Sequence, residues 1–130
     1  MNQTKIRVSK REALDLSYVS VLGFRDKNLG RCVDLLHQNR AITISLDSQA
    51  YSAMLVASGD LASSVFAYGS PWDSAASALI VQEAGGVATD LGGKPRRYDE
   101  FANGFLMSCT SNIHNRVVDI VKLSELGDWT

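Results

Sequence analysis

One carboxylate in this sequence stands at a position suited to metal or phosphate chemistry. Asp73 follows the proline-restricted turn Gly69-Ser70-Pro71-Trp72 and opens an alanine-rich segment that continues to Gly85-Gly86. We expect a helix over residues 73–84, which the glycine pair ends. The positive end of a helix dipole favours a negative charge, and a carboxylate there can bind a hard cation. A plain helix cap explains the same residue, because aspartate is common at helix starts.

The other residues that could do chemistry give weaker signals. His37 and His114 lie in helical segments and are expected at the surface or half-buried, rather than as metal ligands. No Gly-x-Ser-x-Gly elbow supports a Ser-His-Asp triad. The segment Gly92-Gly93-Lys94-Pro95 lacks the Walker spacing and is interpreted as a turn. The cations in and after it are expected in a solvated loop: Lys94, Arg96 and Arg97.

The elements that must position Asp73 alternate between strands and helices. Asn28 is a plausible N-cap of a first helix that ends at Asn39. Asp47-Ser48 caps a second helix that ends at Gly59, and Asp73 opens a third. The third helix is apolar nearly all round, so we expect it between two layers. Residues 14–19 cannot be assigned by periodicity. Strands are expected at residues 6–8, 41–46, 63–68, 87–89 and 104–108, and a final amphipathic helix at 112–123. This order predicts a layered α/β domain whose mixed central sheet has about five strands flanked by helices.

Composition limits the classes of partner. The 130 residues are 45 % hydrophobic and 21 % charged with a net charge of −1, which predicts one globular domain over residues 1–130 and argues against nucleic acid as a partner. No stretch approaches the roughly 18–20 apolar residues of a membrane span, so we expect no membrane partner. Cys32 and Cys109 sit among apolar residues and are expected as buried thiols. Together these features predict a cytoplasmic protein.

The run from Trp72 to Gly86 resembles the C-terminal signature of the inositol monophosphatase family of magnesium-dependent, lithium-sensitive phosphomonoesterases. Residues 5–10 resemble the strand that opens the C-terminal half of that family. Residues 53–59 resemble the helix ahead of the signature strand. The resemblance therefore covers about residues 5–123 and implies the fold of the family's C-terminal domain.

The resemblance implies roles for a few positions. Asp73 matches the aspartate that binds a catalytic Mg²⁺ ion. Asp47, Ser48 and Gln49 match a substrate-binding loop near the alcohol part of the substrate, where Ser48 keeps a hydroxyl and Asp47 replaces a small residue. Phe66 stands where members that prefer inositol carry a glutamate. The implied substrate is thus a small phosphomonoester of a sugar, polyol or nucleotide, with selectivity against inositol.

Two family motifs do not occur in this sequence: a glutamate pair and an Asp-Pro-(Ile/Leu)-Asp-Gly-Thr segment. Metal-assisted hydrolysis needs several carboxylates around its ions. The resemblance therefore implies the C-terminal portion of an enzyme whose N-terminal catalytic half is absent, with no catalytic residue assigned here and no activity alone. The implied partner is that N-terminal half or a second copy. The alternative is a stand-alone, non-catalytic binding or assembly domain of the same fold.

Overall fold

The computed structural model describes residues 5–23, 26–98 and 104–127. These residues form a single layered α/β unit. Its strands are Tyr18–Leu22 (β1), Ile42–Ile44 (β2), Ser63–Phe66 (β3), Val87–Thr89 (β4) and Phe105–Ser108 (β5), and its helices are Leu29–Gln38 (α1), Gln49–Ala57 (α2), Pro71–Glu83 (α3) and Ser111–Ser124 (α4).

The five strands form one sheet in the order β2-β1-β3-β5-β4. β1 is parallel to both β2 and β3, whereas β5 is antiparallel to β3 and to β4. The mixed five-stranded sheet predicted from the sequence is confirmed. From β1 the chain passes through α1 to β2 on one side, and then through α2 to β3 on the other side. The strand order therefore reverses between β1 and β3, which makes this a topological switch point.

Helices cover both faces of the sheet. The strands point alternate side chains to opposite faces, and the two resulting apolar clusters define the layers. One cluster joins the sheet to α1 and α4: Val19, Val21, Cys32, Leu36, Val65, Leu106, Ile113, Val117 and Val121. The other joins it to α2 and α3: Ala53, Val56, Leu61, Phe66, Ala78, Val81, Phe105 and Met107. Each face of the sheet thus has its own core.

Small residues bring α2 and α3 close together. The buried positions on these helices include Ser52 and Ala53 on α2, and Ser77 and Ala78 on α3. The expectation that α3 lies between two layers is wrong for the described part of the chain, because Leu79 and neighbouring apolar residues face outward and are exposed. Only one layer, the sheet, covers α3 among these residues.

The first expected strand is also wrong. Residues 6–8 form no strand, and the Val8 backbone N–H donates to the carbonyl oxygen of Ala84 at 3.1 Å, beside the end of α3. Two apolar positions are too few to specify sheet pairing. The real first strand, β1, overlaps the segment that periodicity left open, and it is central in the sheet. Its two neighbours bury it on both edges.

Most helix bounds follow the local signals. Asn28 and Asn39 flank α1 as predicted, although the Asn28 side chain donates to the Glu125 carbonyl oxygen instead of capping the helix. α3 begins at Pro71, two residues earlier than expected.

Both cysteines are buried as predicted, and burial raises the pKa of the Cys32 thiol to about 11. Within the described ranges, no helix has the length and apolar character needed to cross a membrane.

Candidate functional site

A cavity of about 610 Å³ opens at the switch point. β1, β2 and β3 are parallel, so their carboxyl ends meet at one edge of the sheet, where ligands bind in open α/β sheets. Leu22 and Phe66 line the cavity from the ends of β1 and β3, and Ala50 and Tyr68 add to its wall. The loops before α2 and α3 supply the polar lining, which includes all four residues predicted from the resemblance: Asp47, Ser48, Gln49 and Asp73.

Asp73 is fixed by a short cap motif. Ser70 is the N-cap of α3, and Pro71 occupies the first helical position. The Ser70 hydroxyl donates to Asp73 Oδ2 at 2.8 Å and accepts from the Asp73 backbone N–H at 3.4 Å. Asp73 is therefore the third residue of the helix and not its cap. Its carboxylate is exposed, with its position set by Ser70.

Ser48 caps the start of α2, and Gln49 links that helix start to the start of α3. The Ser48 hydroxyl caps α2 by accepting from the Tyr51 N–H at 3.1 Å. Gln49 Oε1 accepts from the Ser74 hydroxyl at 3.2 Å. A β-carbon at Gly69 would overlap the Gln49 amide nitrogen, so a larger residue there would displace the Gln49 side chain from this position. Ser48 thus fixes the start of α2, and Gln49 holds it beside the start of α3 at the cavity.

Arg96 supports the same loop from behind, and its predicted place in a solvated loop is wrong. Its side chain is buried, with Nη2 donating to the Gly69 carbonyl oxygen at 3.0 Å and Nε donating to that of Gly104 at 3.2 Å. The guanidinium lies 5.7 Å from the centre of the Tyr98 ring. Burial lowers the pKa of Arg96 from its ordinary value. The sequence gives no sign that, of the three basic residues Lys94, Arg96 and Arg97, Arg96 is the one that is buried.

The electrostatics of the cavity favour a cation at the carboxylates and anions at the helix starts. Asp47 and Asp73 line it, and none of the lysines, arginines and histidines that the structure describes does. The first backbone N–H groups of α2, those of Gln49 and Ala50, have no partner within the helix and carry partial positive charge. Carboxylate oxygens are the donors that Mg²⁺ prefers, so Asp73 fits such an ion in type. In number the donors fall short, since the residues that the structure describes contain no group of three potential ligands.

The histidines do not line this cavity. His37 is exposed and lies 2.8 Å from Thr43 Oγ1. His114 is buried, which its predicted surface or half-buried position did not anticipate, and it bonds to Ser108 and Thr89. Phe66 lines the cavity and belongs to the buried cluster between the sheet and helices α2 and α3. A glutamate at position 66 would therefore have to be buried there.

Residues 1–125 match the model of the inositol monophosphatase family. The chain belongs to this family. The resemblance found in the run around Asp73 is thereby confirmed, and it extends over almost the whole sequence.

The chain spans about half the length of the relatives that it matches. A Thermotoga maritima protein named fructose-1,6-bisphosphatase/inositol-1-monophosphatase is 32 % identical over 128 residues, which are 97 % of this chain and 48 % of the relative. The solved structure of a Thermotoga maritima IMPase superposes with a TM-score of 0.85 at 31 % identity, covering 95 % of this chain and 47 % of the other. The extragenic suppressor protein suhB of Bartonella henselae, at 21 % identity, has a TM-score of 0.81 over 93 % and 47 %. That last likeness concerns the fold alone.

Proposed function

We propose that residues 1–130 form the C-terminal domain of a magnesium-dependent phosphomonoesterase and supply one side of its active site. The observation that carries this proposal is the convergence of Asp73 and the start of α2 on one cavity at the switch point. Membership of the inositol monophosphatase family supports it. So does the name of the Thermotoga maritima relative, which assigns that protein two phosphatase activities.

In this proposal Asp73 is a metal ligand and the start of α2 is a substrate contact. Mg²⁺, when bound, polarises a phosphoryl oxygen and lowers the pKa of a bound water. Asp73 binds the ion through an oxygen of the carboxylate that Ser70 orients. The backbone N–H groups of Gln49 and Ala50 lie at the positive end of α2 and bind anionic or hydroxyl oxygens of the substrate. Gln49 and Ser48 act mainly by holding this helix start in place.

The pair of carboxylates makes the cavity dependent on a cation. A phosphate beside Asp47 and Asp73 meets two like charges unless a metal ion lies between them. Phe66 offers an apolar surface where a hydroxyl-binding glutamate is implied for inositol-preferring relatives. The preferred substrate is therefore a phosphomonoester other than inositol phosphate, of the sugar, polyol or nucleotide class.

In this proposal the domain does not turn over substrate alone. The described residues bring two carboxylates to the cavity, those of Asp47 and Asp73, and so small a ligand set leaves Mg²⁺ largely hydrated. The chain spans about half the length of its relatives. The remaining ligands and the group that orients the attacking water therefore come from the other half, which is the N-terminal half by the resemblance.

A second candidate function is a non-catalytic binding or assembly domain. The observation that favours it is the lack of three clustered metal ligands among residues 5–23, 26–98 and 104–127. In that case the cavity binds a phosphorylated molecule or a partner without cleaving it. The two candidates differ in one measurable respect, which is turnover once the other half is supplied.

The test assays this chain, alone and joined to the unmatched half of the Thermotoga maritima relative, against a panel of phosphomonoesters with Mg²⁺. We expect no turnover by the chain alone, and Mg²⁺ binding weaker than about 1 mM by calorimetry, because the described residues bring no more than the two carboxylates of Asp47 and Asp73 to the cavity. The joined protein should show Mg²⁺-dependent turnover that Asp73→Asn abolishes. The matched control is Asp119→Asn, which changes an exposed carboxylate on α4.

Two results would contradict the proposal. One is metal-dependent turnover that purifies with the 130-residue chain and disappears in Asp73→Asn, since the site would then be complete. The other is full turnover by the joined Asp73→Asn protein. A joined protein that binds phosphomonoesters without turning them over would favour the non-catalytic candidate.

A further inference from the structure

The Asp47 carboxylate lines the cavity without a partner among the residues that the structure describes. It is exposed in the loop between β2 and α2, and no described residue donates a hydrogen bond to it or forms an ion pair with it. Its neighbours are engaged, because the Ser48 hydroxyl caps α2 and Gln49 Oε1 accepts from the Ser74 hydroxyl. An ionised carboxylate only accepts hydrogen bonds. Asp47 therefore presents acceptor oxygens to a molecule in the cavity.

Asp47 differs in this respect from Asp73. The Ser70 hydroxyl donates to Asp73 Oδ2 at 2.8 Å and so orients that carboxylate. Carboxylates that bind a metal ion are themselves held by a hydrogen bond of this kind. Among the described residues Asp47 has no such support. In the proposed function the metal ion and its phosphate therefore lie beside Asp73, and the rest of the substrate lies against the start of α2.

The charge at the start of α2 decides which chemical group can lie there. The N–H groups of Gln49 and Ala50 favour an acceptor oxygen, with a partial positive charge of roughly half an elementary charge. The full negative charge of Asp47 stands one residue before the N-cap of the same helix and exceeds it. A phosphate carries a charge of about −2 at neutral pH, so a phosphate here is repelled. A hydroxyl, by contrast, donates to Asp47 and accepts from the N–H groups.

The remaining wall of the cavity offers a second phosphate no compensation. Leu22, Phe66 and Tyr68 line it, and none of the described lysines, arginines and histidines does. A second phosphate would thus meet apolar side chains and a carboxylate, with no cation from the described part of the chain beside it. A sugar ring suits the same surface, because its C–H groups can pack on the apolar wall while its hydroxyls reach the polar helix start.

We propose that Asp47 makes the site selective for sugar or polyol substrates that carry a single phosphate. It accepts hydrogen bonds from hydroxyls of the substrate and repels a second phosphate at the start of α2. This inference rests on the proposed function, and it narrows the contact of Gln49 and Ala50 to hydroxyl oxygens. A bisphosphate with one phosphate beside Asp73 brings its other phosphate towards Asp47. Such a substrate is rejected by charge and not by size.

The experiment uses the 130-residue chain joined to the unmatched half of the Thermotoga maritima relative, with Mg²⁺. The probes are fructose 1,6-bisphosphate and the two fructose monophosphates that each lack one of its phosphates. Asp47→Asn removes the charge and keeps the shape, Asp47→Glu keeps the charge, and Asp119→Asn removes an exposed carboxylate of α4. The measured quantity is the selectivity ratio, which is kcat/KM for the bisphosphate divided by kcat/KM for the better monophosphate.

We expect Asp47→Asn to raise the selectivity ratio at least about tenfold, which corresponds to about 1.4 kcal/mol. Asp47→Glu and Asp119→Asn should leave the ratio close to that of wild type. Raising the salt concentration from about 0.05 M to about 0.5 M should raise the ratio more for wild type than for Asp47→Asn, because salt screens an exposed charge. An unchanged ratio in Asp47→Asn would overturn the proposal. So would an unchanged ratio with a tenfold higher requirement for Mg²⁺, since Asp47 would then be a metal ligand.

The fate of the proposed function is read separately. Turnover with an unchanged selectivity ratio would leave the phosphatase standing and refute the role of Asp47. A joined protein without turnover would refute the phosphatase, and the ratio of dissociation constants for the same esters then tests Asp47. That ratio is measured on the 130-residue chain and on the joined protein by NMR titration of the Gln49 and Ala50 amides, with the same tenfold criterion. The absence of any binding of these esters would overturn both proposals.

Discussion

His114 should make this domain sensitive to acid. Its side chain is 3 % exposed, with Nδ1 2.9 Å from the Ser108 hydroxyl and Nε2 2.7 Å from that of Thr89. Thr89 donates its own proton to the Asp90 carbonyl oxygen at 2.7 Å. His114 Nε2 must therefore donate to Thr89, and Nδ1 accepts from Ser108. The neutral ring is satisfied at both nitrogens, so a second proton would reverse the Ser108 bond and bury a charge.

Burial accordingly lowers the pKa of His114 from 6.5 to about 4. Between these values the unfolded chain binds a proton that the folded chain does not, so the free energy of unfolding falls as the pH falls. Each pH unit in this window costs at most about 1.4 kcal/mol, and the whole window costs about 3 kcal/mol. The stabilisation that comes from keeping His114 neutral is fully present above about pH 6.5 and is lost below about pH 4.

The assay is urea unfolding followed by far-ultraviolet circular dichroism at several pH values from about 7 to about 4.5. Wild type is compared with His114→Gln, which cannot titrate, and with His37→Gln, which changes the exposed histidine. His114→Gln should be less stable at neutral pH because it loses fitted contacts, but its stability should fall less steeply with acid. His37→Gln should follow wild type. Parallel curves for wild type and His114→Gln, or an NMR titration of the His114 ring near pH 6.5, would refute this reasoning.

The remaining predictions concern buried polar groups. Ser64→Ala should raise the free energy of unfolding by about 1 kcal/mol, because the buried Ser64 hydroxyl has no hydrogen-bond partner among the described residues. Ser63→Ala, at the neighbouring position in β3, should lower the free energy of unfolding by about 1–2 kcal/mol, since Ser63 Oγ donates to the Met107 carbonyl oxygen at 2.8 Å. Equal changes in the free energy of unfolding for the two variants, measured by chemical denaturation, would contradict both predictions. Arg96→Lys should shift the amide NMR resonances around the loop before α3, because an ammonium cannot reproduce the fork that reaches two carbonyls. Arg97→Lys is the matched control for that shift, and an unchanged loop in Arg96→Lys would show that Arg96 does not position it.

The features that were predictable from the sequence depend on short-range signals. The turn, proline and glycine pair around α3 fix its position within two residues, and the resemblance then singles out Asp73. The mostly apolar composition of α3 also indicated a helix between two layers, but its outer face is exposed in the part of the chain that the structure describes.

The features that were missed depend on distant partners. Arg96 bonds to Gly69, 27 residues earlier, and His114 to Thr89, 25 residues earlier. No local sequence pattern predicts hydrogen bonds between residues so far apart in the chain. The segment that periodicity could not assign, residues 14–19, contains only the first two residues of β1, and the remaining residues were not predicted as a strand. The place of β1 inside the sheet depends on β2 and β3, which follow later in the chain. The convergence of Asp47 and Asp73 likewise follows from the parallel strands and not from their spacing.

The position of β5 in the sheet has a consequence for how the chain folds during synthesis. β3 occupies the centre of the sheet, yet it pairs with β5, a strand made some 45 residues after it. Until that strand leaves the ribosome, β3 is an open edge that can pair with other nascent chains. The first two residues of β3 are serines, and a polar start to a central strand lowers its tendency to aggregate during that interval.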